Sequence, residues 1–420
     1  MSRGLVIAAP SSGAGKTTVT LGLLRALRRA GVAVRGAKSG PDYIDPRFHE
    51  AATGVPCGNL DAWAMRPERL RALAGGAGLL IVEGAMGLFD GAPPDGAGSA
   101  AELAKVLGAP VVLVVDAGRM AGSVAALVAG FAGFDKGLRV AGVILNRVGS
   151  ERHEAMLRRA LAPLGLPVLG AVRRDAGLAH PSRHLGLVQA EERQDLEAFL
   201  DRAADAMAEL DLAALDALAA ELTPGAAPLP RPPAQRIAVA RDAAFAFAYP
   251  HLLDGWRAAG AEVRLFSPLA DEPAPAADLI YLPGGYPELH AGRLAGAGRF
   301  LQSLRNATEG TEIHGECGGY MVLGDGLVDA DGQRHAMAGL LRLETSFASR
   351  RLHLGYREVT AEAGPFAGPW AAHEFHYATT LSERGNPLLT ARDAEGTALP
   401  AMGLREGRVQ GSFAHLIEPR

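Results

Sequence analysis

The sequence predicts an α/β protein of two domains, the first built on a mostly parallel sheet. Three observations carry this. Short apolar runs alternate with segments of helical spacing down the first part of the chain. A proline-rich stretch, TPGAAPLPRPPAQ at 223–235, then breaks every apolar period, and after it the βα rhythm restarts. At 420 residues the chain is long enough to bury two cores. The expected boundaries are 1–190 for the first domain, 191–234 for a helical segment and linker, and 235–420 for the second domain.

Taken in order, the apolar runs GLVIAA, VAVRGA, GLLIVEG, APVVLVVDAG, LRVAGVILN and LPVLGAV read as strands, each followed by turn residues and a helical segment. From Ala190 to Leu222, Ala, Leu, Asp and Glu recur with 3.6-type spacing, which predicts a helix closing the first domain. Beyond the linker, RIAVAR, AEVRLF and DLIYLPGG are the strands that restart the pattern.

Composition narrows the function. With 48% apolar and 21% charged residues the chain reads as a globular protein, and a net charge of -4 gives no basic excess for nucleic acid or anionic lipid. Neither nucleic acid nor membrane is expected as a partner. Two cysteines, Cys57 and Cys317, supply no disulfide framework and no metal-ligand spacing, which fits a reducing, cytoplasmic setting. No run approaches the roughly 18 apolar residues of a membrane helix.

Two segments carry chemistry. The first is APSSGAGKTT, set between a strand and the helical VTLGLLRALRRAG. Gly13 and Gly15 let backbone N–H groups approach phosphate oxygens, Lys16 reaches the β and γ phosphates of ATP, and the Thr17 hydroxyl suits Mg²⁺. The usual glycine at the first position of this loop is Pro10, but the phosphate-binding parts remain. Mg²⁺ also wants carboxylates. Glu83 ends an apolar strand, where ligands of open α/β sheets bind, and Asp90 follows in VEGAMGLFDG. Asp42 and Asp45 stand with Tyr43 in SGPDYIDPRFH; from spacing alone, structural turn aspartates are an equal reading. Asn146, in ILNRVG, could hydrogen-bond a purine edge.

The second segment is HGECGGYM. Cys317 sits between glycines at a strand-to-helix turn, the setting of an exposed nucleophile, and the helix N-terminus is expected to lower its pKa from about 8.5. Gly285, in LPGGYPE, and Gly318 can aim backbone N–H groups at an oxyanion. His415 is one of five histidines that could serve as base, with His314, His353, His373 and His376.

SSGAGKTT, GPDYIDPRFH, VEGAMGLFDG, LPGGYPE, GECGGYM, HEFHY and GSFAHL together resemble the glutamine-dependent cobyrinate or hydrogenobyrinate a,c-diamide synthases, over nearly the whole chain and in the family's order. The resemblance implies an N-terminal P-loop domain, similar to dethiobiotin synthetase, with helices on both faces of a parallel sheet, and a C-terminal class I glutamine amidotransferase domain. It implies Cys317 as glutaminase nucleophile and His415 as its base. Thr17, Asp42, Glu83 and Asp90 fall in segments the family uses for Mg²⁺, Asp45 and Tyr43 in one it uses for substrate, and HEFHY in one shown to the tetrapyrrole or a domain interface. Many class I members place a glutamate two residues after the histidine. Here that position is Ile417, and Glu418, one residue on, is expected to face away from His415 along a regular strand.

The implied reaction amidates two acetate side chains of a corrin ring, using ATP to activate each carboxylate and glutamine to supply ammonia. Hydrogenobyrinate is preferred over cobyrinate as substrate, and homodimer formation is left open. Competing readings are amidation of another tetrapyrrole and, from a different class, a P-loop switch or partitioning ATPase, which leaves Cys317 and His415 without a task.

Overall fold

A computed structural model of the chain describes residues 2–178, 182–183 and 186–420. These residues form two compact units, Met1–Ala227 and Pro228–Arg420.

The first unit is a parallel sheet whose strands are nearly continuous apolar runs, as burial on both faces requires. They are β1 (Arg3–Ala8), β2 (Val34–Ser39), β3 (Gly58–Leu60), β4 (Leu79–Glu83), β5 (Val111–Asp116), β6 (Val140–Val148) and β7 (Val168–Arg173), in the order β3-β2-β4-β1-β5-β6-β7. Leu5, Val6 and Ile7 at the centre are fully buried. The order reverses around β1, so the loops leaving β1 and β4 open at a crevice beyond the strand ends, where open α/β sheets hold ligands. Helix α1 (Lys16–Arg29) begins there, directly after Gly15 at φ 91°, a left-handed conformation that costs glycine little.

The expected helix over 190–222 is instead two, α2 (Leu196–Asp205) and α3 (Leu212–Leu218), followed by a short strand, β8 (Ala220–Glu221), antiparallel to the start of β1. The break has a local cause. The Asp211 side chain accepts from the Ala214 N–H and caps a new helix, while its backbone N–H donates to Leu169 O on β7. Helix α2 packs closely on α1: a methyl on Gly22 would lie 2.8 Å from Met207 Cγ and crowd the Ala203 carbonyl.

The second unit begins with parallel strands β9 (Arg236–Ala240), β10 (Glu262–Phe266), β11 (Leu279–Leu282) and β12 (Glu312–Glu316). The sheet continues through β13 (His353–Ala361), β14 (Gly368–His376), β15 (Asn386–Asp393), β16 (Ala398–Glu406), β17 (Val409–Ser412) and β18 (Ala414–Pro419), in the order β10-β9-β11-β12-β17-β16-β15-β13-β14-β18. Only Phe413 separates β17, in the middle of this order, from β18 at its end. The sheet therefore rolls over, and β18 returns to the neighbourhood of β12. That roll brings residues about a hundred positions apart into one site. No helix among the described residues is long and apolar enough to cross a membrane.

Candidate active site

In the first unit the phosphate loop, with Gly13 at φ 79° and Gly15 at φ 91°, borders a cavity of about 430 Å³ also lined by Lys16, Thr17, Lys38 and Glu83. Lys16 Nζ donates to the Met86 carbonyl and, at 3.4 Å, to Ser11 O. Thr17 Oγ1 donates to Glu83 Oε1 at 2.6 Å. Glu83 is fully buried and shared: Lys38 Nζ reaches Oε1 at 2.8 Å, and His49 Nε2 lies 2.8 Å from Oε2. Lys38 also pairs with Asp45 Oδ2 at 2.5 Å. Sequence reasoning missed Lys38 and His49; the available signal was a lysine in the middle of the otherwise uncharged run GAKSG.

The electrostatics follow from this crowding. Burial disfavours ionisation of Glu83, but Lys38 and His49 outweigh it and hold the carboxyl well below the usual range. Burial, then Asp42, pushes Asp45 up to about 7 against the pull of Lys38. Burial and the nearby Lys38 lower the pKa of Lys16. Asp42 Oδ1 accepts from the backbone N–H groups of Ile44 and Asp45, and Asp90 Oδ2 from Gly87 N at 2.9 Å, so both carboxylates shape the loops around the crevice. Tyr43 is buried. Asn146 lies under the phosphate loop, where Nδ2 donates to Ala14 O at 2.8 Å and a methyl on Gly15 would collide with it. The adjacent Arg147, not Asn146, lines the cavity.

In the second unit Cys317 stands between β12 and the helix Gly318–Leu323 with φ 47°, ψ -105°. This is a strained conformation for any residue with a Cβ, held by Cys317 N–H donating to Ser412 O on β17 at 2.8 Å. Gly284 shows how the pair meets: a methyl there would lie 3.2 Å from Cys317 Cβ and 3.0 Å from His415 Nε2. A methyl on Gly318 would lie 3.0 Å from the Gly285 nitrogen, so the two backbone segments expected to form an oxyanion hole run side by side. His314 lies away from this meeting point, against Phe366 and Gln410.

Two expectations are corrected here. The Cys317 thiol is not lowered: burial, then the charge of Glu288, pushes its pKa up, against the pull of the Gly318 N–H. Glu418 does not face away from His415. On β14, His373 pairs with His415 and Ala371 with Glu418, while Ala372 pairs with Leu416, so Ile417 is the extra residue of a β-bulge. His373 and Ala371 are two residues apart, which places their partners on one face.

HEFHY, the segment expected to face the tetrapyrrole or a domain interface, flanks the nucleophile on β14, with Cys317 Sγ 3.9 Å from Phe375 O. Its ring of His376 stacks on Phe413 at 4.0 Å and on His353 at 4.5 Å. Ligating atoms of His353, Glu374 and His376 lie within 4.8 Å of one another. The two imidazoles are stacked at 5°, however, so their in-plane lone pairs do not converge, and Arg357 already pairs with Glu374 at 2.8 Å. Glu374 is held instead by Arg357 and, at 3.1 Å, by His376 Nε2, and His353 only stacks on His376. Burial, then His373 and His376, lowers the His415 pKa to about 3, which leaves its imidazole neutral and, in the resting protein, a weak base.

Residues 5–188 match a CobQ/CobB/MinD/ParA nucleotide-binding domain, and residues 236–419 a CobB/CobQ-like glutamine amidotransferase domain. The pairing of these halves defines a glutamine-dependent amidating ligase. Proteins named hydrogenobyrinate a,c-diamide synthase are similar along the full length: 60% identical in Rhizobium meliloti (99% of each chain), 58% in Brucella anthropi and 56% in Rhodobacter capsulatus (each 99% of this chain and 98% of the relative). The chain belongs to the hydrogenobyrinate a,c-diamide synthase family.

Proposed function

We propose that this chain amidates the a and c acetate carboxylates of hydrogenobyrinate, consuming ATP and glutamine, in the cytoplasm. The observation that carries this reading is full-length identity of 56–60% to enzymes of that name, spanning both halves. Those names also favour the metal-free ring over cobyrinate. A switch ATPase would leave residues 236–419 without a role.

Residues 1–190 are assigned the ATP-dependent step. A carboxylate is a poor acyl donor because its leaving group would be oxide, so phosphoryl transfer from ATP first makes it an acyl phosphate. Gly13, Gly15 and Lys16 cradle the phosphates, Lys16 exchanging the Met86 carbonyl for phosphate oxygen. Thr17 and Glu83, hard oxygen donors 2.6 Å apart, with Asp42 and Asp90 on neighbouring loops, fit Mg²⁺, which when bound neutralises phosphate charge. Lys38 balances the buried Glu83 and Asp45. Asp45 and Tyr43 are assigned to the carboxylate substrate, and Asn146 to fixing the nucleotide loop from below.

Residues 235–420 are assigned the release of ammonia. His415 Nε2 takes the Cys317 proton, Sγ attacks the glutamine amide carbon, and the N–H groups of Gly285 and Gly318 stabilise the oxyanion. His415 returns that proton to the departing nitrogen, so neutral NH₃ leaves as the thioester forms and then displaces phosphate from the acyl phosphate, while water hydrolyses the thioester to glutamate. Cys317→Ala should abolish glutamine-dependent amidation yet keep amidation driven by ammonium salts, and Lys16→Ala should lose both, as read by product mass. Equal loss with ammonium in Cys317→Ala would overturn this division of labour.

A further inference from the structure

We propose that Glu316, the residue immediately before the nucleophile, is the positioning carboxylate for His415, in the place that Ile417 leaves open. This rests on the reading of Cys317 and His415 as the glutaminase pair.

Glu316 ends β12 and is 1% exposed. Its Oε2 lies 3.8 Å from His415 Nδ1 and accepts a hydrogen bond from the Tyr281 hydroxyl at 2.8 Å. Its Oε1 accepts from the Leu416 backbone N–H at 3.3 Å, and His314 Nε2 stands 3.6 Å from the same oxygen. A buried carboxylate is costly unless its oxygens are engaged, and here both are. The engagement is specific. The Leu416 N–H belongs to the peptide formed with His415 itself, so Glu316 grips the backbone of the histidine while facing its ring.

The other edge of that ring is also fixed. The space above Gly284 places Nε2 on the side of Cys317, so Nδ1 toward Glu316 and Nε2 toward the thiol is the order a base needs. At 3.8 Å the Glu316 contact is too long for a hydrogen bond in the resting protein. It becomes one when Nε2 takes the thiol proton: the ring turns cationic, keeps its Nδ1–H, and that N–H closes on Oε2. Glu316 accepts no proton. Glu418 is the competing carboxylate, brought to the His415 face by the bulge. Its Oε2 lies 3.7 Å from His251 Nε2, and His251 donates at 2.8 Å to the Ile417 carbonyl. Its charge thus lies beside the histidine that holds the bulge.

Glu316→Gln keeps the size and the acceptor oxygen but removes the charge. With glutamine as nitrogen donor, kcat should fall by about 10²-fold or more while KM for glutamine changes less than about threefold. Ammonium-driven amidation should be unchanged, which also reports an intact fold. Tyr281→Phe, which removes one of the two props on Glu316, should lower the same kcat by a smaller factor. Wild-type kcat with glutamine in Glu316→Gln, or a loss confined to KM, overturns the proposal. Should Glu316→Gln fail to fold, an unchanged kcat in Tyr281→Phe overturns it instead. Failure of the underlying reading is separate, because it appears as glutamine-dependent turnover persisting in Cys317→Ala.

Discussion

At the scale of the residue, Cys317 combines a strained backbone with a thiol that burial keeps protonated. The strain is a measurable cost. Glycine tolerates φ 47° where alanine does not, so Cys317→Gly should be more stable than Cys317→Ala by about 1 kcal/mol in chemical denaturation. Equal stability would show that the elbow stores no strain. His415 sets a second expectation. Its pKa, lowered from 6.5 to about 3, means the neutral base is present throughout the range above about 3. The kcat/KM for glutamine should therefore show no acid limb near pH 6.5, and a limb at that pH would contradict the burial argued for the ring.

At the scale of the element, the sequence is legible where a period is unbroken and opaque where one residue alters it. The phosphate loop could be read because strand, glycines, lysine and helix follow one another within a single stretch. Ile417 could not be read as a bulge, because alternation gives the face of Glu418 only if every residue of β18 pairs. Helices α2 and α3 merged in the sequence because the alanine and leucine spacing runs on through Asp211, whose side chain accepts from the Ala214 N–H and starts a new helix. Their packing yields a test: Gly22→Ala should force α2 off α1 and lower the thermal midpoint of the protein by several degrees, in line with about 1–3 kcal/mol for overpacking. An unchanged midpoint would mean the helices separate at no cost.

At the scale of the whole molecule, the α/β class was legible because buried parallel strands leave apolar runs in the sequence. The partners of Glu83 were not, since Lys38 and His49 reach it from separate segments and only the tertiary fold joins them. Glu316 was hidden for the same reason: its grip on Leu416 spans 100 positions. The assignment of Mg²⁺ to the first unit predicts that a chelator stops amidation with either glutamine or ammonium, whereas hydrolysis of glutamine to glutamate persists. Chelator-sensitive hydrolysis would place a metal dependence in the second unit.

The roll of the second sheet has a consequence for folding. The sheet that brings Cys317 and His415 together is closed by the pairing of β13 to β18, long-range contacts of the kind that form slowly. A partly folded chain can therefore hold its thiol and its imidazole without being able to hydrolyse glutamine. On refolding, glutaminase activity should lag behind the recovery of secondary structure, so the amide donor is spared from every molecule that has not finished its sheet.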